Sequence, residues 1–316
     1  MSDKFTVSIS PHIHKGDSVS KIMWAVSLSL LPAGLAGVFI FGQAALKTIA
    51  LSIASALLAE WIIQLSTARK VTLLDGSAFL TGLLLSYNLP AGVPFWLPIA
   101  GSFFAIAVGK QVFGGLGQNI FNPALVGRVF LMASWPKYMT VFSRPFSYDA
   151  VTCATPLALL KEGKSLDIAS AASYMDLLFG KRGGCIGEVC IIALLLGAAF
   201  LLWKGYISWH IPFSYIATVG LFTYILGPQG LFRGDGIFHI LSGGLVLGAF
   251  FMATDYVTSP LTRKGQVIFG IGCGLLTAVI RLWGGYPEGV SYAILMMNAA
   301  VPLIDRYTKS RIYGTR

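Results

Sequence analysis

Polar residues in this chain are gathered into short intervals between long apolar runs. The runs fall at 22–42, 44–67, 73–90, 94–113, 120–134, 185–203, 211–227, 237–254, 266–283 and 290–305. Most approach the roughly 20 apolar residues that a helix needs to cross the hydrocarbon core of a bilayer. The pattern predicts an all-α polytopic membrane protein with ten transmembrane helices. It divides into an N-terminal segment 1–21, a five-helix repeat 22–134, a polar loop 135–184, a second five-helix repeat 185–305 and a tail 306–316. Because residues 1–21 are polar and the first run is long enough to stay as a span, no removable signal peptide is expected.

The halves repeat an order of features. Thr81 to Pro90 closes the third run, while Ser242-Gly243-Gly244-Leu245 opens the eighth, which ends near Thr258-Ser259-Pro260. Each half finishes on an apolar segment with asparagine and proline, Asn119 to Ala124 and Asn298 to Pro302. A unit with an odd number of helices re-enters the membrane inverted, and interrupted helices at matching positions build mid-membrane sites. Proline inside a span also frees the carbonyl four residues earlier. A neighbouring asparagine, water or a ligand can satisfy it, or the proline simply kinks a packed helix. Gly114-Gly115-Leu116-Gly117 follows no strand, so it reads as a tight turn or a close helix contact and not as a dinucleotide fingerprint.

Composition sharpens this. Residues are 55% hydrophobic and 11% charged, against about 25% charged in soluble domains. A net charge of +10 would suit nucleic acid, but its placement is a topology signal. Lys21, Arg69, Lys70, Lys110, Lys204, Arg263, Lys264 and Arg306 fall on one side, with the basic residues of both termini. Only Lys47, Arg233 and Arg281 fall on the other once 135–184 is set aside, so both termini are expected in the cytoplasm and 135–184 outside.

Ionisable groups in spans default to functional candidates. Glu60, Asp75, Asp255 and Asp305 are the acids to consider for an ion pathway. Most lie near helix ends, and Asp75 before Gly76-Ser77 also suits a helix cap. Cys153, Cys185, Cys190 and Cys273 show no Cys-x-x-Cys spacing, so neither a zinc nor an iron–sulfur site is expected from this chain. Cys153 and Cys185 either pair outside the membrane or are separated because Cys185 already lies in the sixth helix. His12 and His14 read as solvated histidines.

Within the long polar interval stands Asp149-Ala150-Val151-Thr152-Cys153-Ala154-Thr155. It resembles Asp-Gly-x-Ser/Thr-Gly-Ala-Thr, in which a flavin transferase esterifies the last threonine with flavin mononucleotide (FMN). Ser10-Pro11-His12, the stretch from Asn119 to Arg128, this motif with Pro156-Leu157, and Asn298 to Asp305 are together similar to the D subunits of Rnf complexes. The B subunit of the sodium-pumping NADH:quinone reductase shares the core but usually has a longer N-terminal region.

The resemblance covers essentially the whole chain, and it implies a urea-transporter-like fold in a bacterial cytoplasmic membrane. It implies an electron carrier in a complex that passes electrons between ferredoxin and NAD and moves Na+ or H+. The partners would be the A, B, C and E subunits, the flavin-bearing G protein of the same complex and, for maturation, the flavin transferase. Thr155 would carry covalent FMN, with Asp149, Thr152 and Ala154 as recognition positions, exposed to the external aqueous phase. Asn119 and Asn122 would hold a second, non-covalent riboflavin nearer the cytoplasm. Ala150 and Cys153 depart from the two usual glycines. No catalytic side chain or metal ligand is assigned, since ferredoxin and NAD chemistry would belong to partner subunits. A channel for a small neutral solute suits broken helices equally well, but has no use for a flavinylation motif.

Overall fold

In the computed structural model, residues 17–146, 152–162, 174–227 and 230–309 are described. Helices α1 (Val19–Phe41), α2 (Gln43–Ser66), α3 (Ser77–Tyr87), α4 (Trp96–Ile106) and α5 (Pro123–Ser134) fall on the first five apolar runs. The polar interval contains α6 (Pro136–Met139), the two-residue strands β1 (Phe142–Ser143) and β2 (Thr152–Cys153), α7 (Pro156–Lys161) and α8 (Tyr174–Phe179). The later runs hold α9 (Ile191–Lys204), α10 (His210–Ile225), α11 (Gly236–Leu241), α12 (Leu245–Leu247), α13 (Arg263–Trp283) and α14 (Val290–Tyr307). Strand among the described residues is limited to the antiparallel pair β1–β2.

Among the described residues, α1, α2 and α13 are long and apolar enough to cross a membrane. Their ends are set by local chemistry. Ser18 accepts from the Lys21 N–H at 3.2 Å to start α1, and Thr262 accepts from the Gly265 N–H at 3.1 Å to start α13. Side chains on the outer face remain apolar: Leu28, Leu35 and Phe39 of α1 are exposed. Lipid is the solvent that suits such a face.

Helices pair in the same order in each half. In the first, α2 packs on α3 and α4, and α4 on α5; in the second, α10 packs on α11 and α13, and α13 on α14. The halves meet where α1 lies on α9 and α5 on α14. At the first crossing a Cβ on Gly197 would overlap the Ser29 carbonyl oxygen, so glycine is what allows the backbones to touch. One apolar core, from Leu30 of α1 to Val301 of α14, runs through both halves.

Three departures from the hydropathy pattern shape the sites. The sixth run begins at 185, but its helix starts at Ile191. Residues 185–189 are instead a buried irregular stretch, pinned by the Ile186 N–H to the Leu89 carbonyl (3.1 Å) and the Gly187 N–H to the Tyr87 carbonyl (3.0 Å). Irregular backbone is tolerated there because protein supplies the partners that lipid cannot. The eighth run is split: α11 stops at Ser242, Gly243 turns at φ +68°, and helix resumes at Leu245. Pro123 opens α5 at its first turn, where no intrahelical partner is lost, and so does not break a span. Pro302, by contrast, lies inside α14.

Two π turns, Ala107–Gln111 after α4 and Gly248–Met252 after α12, wind the chain wider than an α-helix. The first turns Lys110 inward. Lys110 therefore does not belong to the surface charges that set topology, and neither does Arg281, which is also buried. Removing both leaves the bias of basic residues in place.

Candidate functional site

Thr155 stands at the start of α7, and its Oγ accepts from the Ala158 N–H at 3.3 Å. It donates to no partner among the described residues. The side chain is 5% exposed, so the hydroxyl is covered and not open to the aqueous phase as the sequence suggested. It lines a small pocket with Leu177, Arg182, Gly183, Glu188, Gly243 and Glu288 among the walls. The neighbouring motif positions behave differently. Thr152 pairs through its backbone with Ser143, Ala154 is exposed, and Asp149 and Ala150 lie outside the described residues.

Cys153 explains how the chain tolerates its departure from glycine. Its Sγ reaches toward the Ser143 carbonyl at 3.6 Å, and a Cβ on Gly183 would overlap it, so the bulk added at 153 is accommodated by glycine at 183. Burial pushes the Cys153 thiol above its ordinary range, an effect that nearby Arg144 opposes. Cys153 and Cys185 are both free, so the disulfide alternative does not hold. Cys185 is buried in the irregular 185–189 stretch, ahead of the sixth run's helix.

Behind the pocket lies a set of buried charges that hydropathy did not single out. Arg128 of α5 donates to Asn88 Oδ1 and forms an ion pair with Glu288. Glu188 accepts from the Cys185 N–H at 2.7 Å, and Arg281 donates to the His239 and Ser242 carbonyls exposed by the break before α12. The Glu188 and Glu288 side chains are both buried and lie within hydrogen-bonding reach of each other. The sequence signal was present only for Arg128, inside an apolar run; Glu188 and Glu288 sit at run edges, where charges are usually solvated.

At the other end of the molecule a cleft opens between the halves. Asn119, Asn122, Lys110, Ser77, Thr254 and Asp255 contribute its polar lining, amid Leu80, Leu84, Phe250 and Phe251. Asn119 and Asn122 are brought together here, though on the connection before α5 and not on one helical face. Asn122 is already engaged: Oδ1 caps α5 through the Ala124 and Leu125 N–H groups, and Nδ2 donates to the Met252 carbonyl at 3.2 Å. With its amide turned to suit its neighbours, Asn298 of α14 accepts from the Asn122 N–H at 3.1 Å. Asn119 donates to the Phe121 carbonyl.

The four candidate acids do not form one site. Glu60 is fully buried and ion-paired to Lys110 at 2.6 Å, with Gln64 and Gln111 donating to the same oxygen. Lys110 also donates to Ser77 Oγ at 2.6 Å and lines the cleft, so it links Glu60 to that space. Asp75 caps α3 by accepting from the Ser77 N–H and hydroxyl. Asp255 faces the cleft and accepts from Thr258, while Asp305 accepts from the Leu261 N–H in a separate basic groove.

The two pockets are linked by α9: Val189, just before it, lines the Thr155 pocket, and Leu201 near its far end lines the cleft. At 1.5 Å per residue the helix rises about 15 Å from Ile191 to Leu201, against about 30 Å of hydrocarbon.

Comparison with known proteins identifies the family. The chain is 52% identical over 320 residues, 99% of its length and 97% of the relative's, to the D subunit of the proton-translocating ferredoxin:NAD(+) oxidoreductase complex of Clostridium ljungdahlii. It is 51% identical over 311 residues, 98% of its length and 95% of the relative's, to the D subunit of the Na(+)-translocating ferredoxin:NAD(+) oxidoreductase complex of Acetobacterium woodii. Identity is 37% over 354 residues, 99% of both chains, to the D subunit of the ion-translocating oxidoreductase complex of Escherichia coli O9:H4. The first two relatives are named for different ions at nearly equal identity, so likeness does not choose between H+ and Na+. The profile of the NQR2, RnfD, RnfE family matches residues 6–314, and this membrane protein belongs to that family.

Proposed function

We propose that this protein is the D subunit of an Rnf-type complex that exchanges electrons between ferredoxin and NAD and couples the transfer to ion movement. It relays electrons across a bacterial cytoplasmic membrane through FMN on Thr155 and riboflavin in the cleft. The carrying observation is the placement of Thr155 near one end of α9 and of an apolar cleft with a few polar groups near the other, with about 15 Å of helix between Ile191 and Leu201. Thr155 has a hydroxyl free to donate. The cleft has the balance of apolar walls and polar groups expected of a small-molecule site.

Bound flavins supply one-electron relay chemistry. The chain's part is to hold and tune. Asn119, Asn122 and Lys110 would meet the polar edge of a ring in the cleft, while Leu80, Leu84, Phe250 and Phe251 exclude water. At the other pocket Thr155 would provide the ester oxygen, and Leu177 and Gly183 line the same pocket. The shared pairing order of the two halves supports two inverted five-helix repeats, hence ten spans and a urea-transporter-like arrangement. Under that topology both termini lie in the cytoplasm and residues 135–184 outside. Ferredoxin, NAD and the A, B, C, E and G proteins of the complex are met by partner contacts, and a flavin transferase loads Thr155.

The test is a denaturing gel of the purified chain under ultraviolet light. Flavin fluorescence should follow the polypeptide and disappear in Thr155→Val. Fluorescence that survives in Thr155→Val would move the attachment elsewhere, with Thr152 the next position to examine.

A further inference from the structure

The Thr155 pocket raises an electrostatic problem that its known residues do not solve. A phosphodiester at Thr155 adds a negative charge to a covered site already walled by Glu188 and Glu288. Each glutamate is 8% exposed; Glu288 is already paired with Arg128, and the Glu188 and Glu288 side chains lie within hydrogen-bonding reach of each other. A further negative charge in such surroundings is costly unless a cation meets it.

Two buried arginines lie near; the Nε of each is also without a partner among the described residues, but their terminal nitrogens are engaged. Arg128 is held by Glu288 and Asn88, and Arg281 by the His239 and Ser242 carbonyls. The remaining cation in the pocket wall is Arg182. Its Nε is buried with no hydrogen-bond partner among the described residues, and no ion pair is formed by its guanidinium there. Its backbone is also fixed against the motif. Gly183, the next residue, packs so closely on Cys153 that a Cβ there would overlap Sγ, and that Cβ would lie 3.7 Å from the Ala154 carbonyl oxygen. Arg182 is thus carried by a segment pressed against the two residues that precede Thr155.

We propose that Arg182 is the anion-binding residue of this pocket, and that its guanidinium holds the phosphodiester formed on Thr155. The guanidinium brings a positive charge to the phosphate oxygens, and the charge-assisted bonds it forms are about twice as strong as neutral ones. This rests on the flavinylation reading and adds to it the residue that receives the phosphate.

The experiment uses the full chain co-expressed with its flavin transferase, as wild type, Arg182→Gln and Arg182→Lys. Two quantities are measured on detergent-solubilised, monodisperse protein: covalent flavin per chain, by fluorescence and intact mass, and the phosphorus NMR resonance of the attached group. Arg182→Gln is expected to lose covalent flavin several-fold and to displace the phosphorus resonance of the adduct that remains. Arg182→Lys, which keeps the charge, should recover most of the stoichiometry. If Arg182→Gln keeps wild-type flavin content and an unmoved resonance, Arg182 does not hold the phosphate. If Arg182→Lys loses as much flavin as Arg182→Gln while eluting as wild type does, charge is not what the pocket needs, and the proposal fails. Wild-type protein without covalent flavin would instead overturn the flavinylation reading itself.

Discussion

Replacing Lys110 by methionine isolates the energetics of the buried ion pair behind the cleft. Lys110 is 2% exposed and Glu60 0%, and their charged atoms lie 2.6 Å apart. Methionine keeps most of the side-chain volume, so the substitution removes charge and hydrogen bonds more than packing. It deletes the bonds to Glu60 and Ser77 and leaves Glu60 with the Gln64 and Gln111 amides alone. Breaking a buried pair from one side costs about 3–5 kcal/mol, because the remaining charge is uncompensated. That corresponds to a folded-to-unfolded ratio lower by roughly a hundredfold to a few thousandfold. The double variant Glu60→Gln with Lys110→Met removes the orphaned charge and should recover at least about 2 kcal/mol, a coupling within reach of a double-mutant cycle. The assay is unfolding of the purified chain in detergent, followed by denaturant titration and by heat. The reasoning is refuted if Lys110→Met lies within about 0.5 kcal/mol of wild type. It is equally refuted if the double variant is no more stable than the single one.

Three further outcomes follow from the sites. Asn122→Asp keeps the cap on α5 but replaces the donor to the Met252 carbonyl with an acceptor; riboflavin content should fall while the Thr155 adduct persists, and unchanged riboflavin would mean the asparagine only starts the helix. Because burial raises the Cys153 thiol, its thiolate fraction at neutral pH is below that of an open cysteine; alkylation should be slow near neutrality and accelerate as pH rises, and rapid alkylation at neutral pH would contradict the packing against Gly183. In a cysteine-free background, Lys181→Cys should react with an impermeant maleimide in intact cells; labelling only in inside-out vesicles would reverse the topology.

Apolar runs located the helices because each must be apolar along most of its length to face lipid. They could not locate the interruptions. Ser242 to Gly244 are as small as a helix interior, and residues 185–189 are apolar or small except for Glu188; only packing against α3, Arg281 and Glu288 reveals them as turns. The buried charges were hidden for a related reason. Lys110 and Arg281 sit where a hydropathy boundary places a solvated residue, yet the π turn after α4 and the carbonyls freed before α12 draw them inside. Thr155 was readable as a motif, and Asn119 with Asn122 as a pair. That Glu188, Glu288 and Arg182 gather around Thr155 depends on contacts more than 25 residues apart in sequence, which no local pattern encodes.

The account turns on what is bonded to Thr155. Tandem mass spectrometry of the peptide that contains it, from chain purified out of cells with an active flavin transferase, answers this directly. The account predicts FMN joined through its phosphate to Thr155, with fragment ions that exclude Thr152. An unmodified Thr155 in protein whose partner flavoproteins are fully loaded by the same transferase would contradict it.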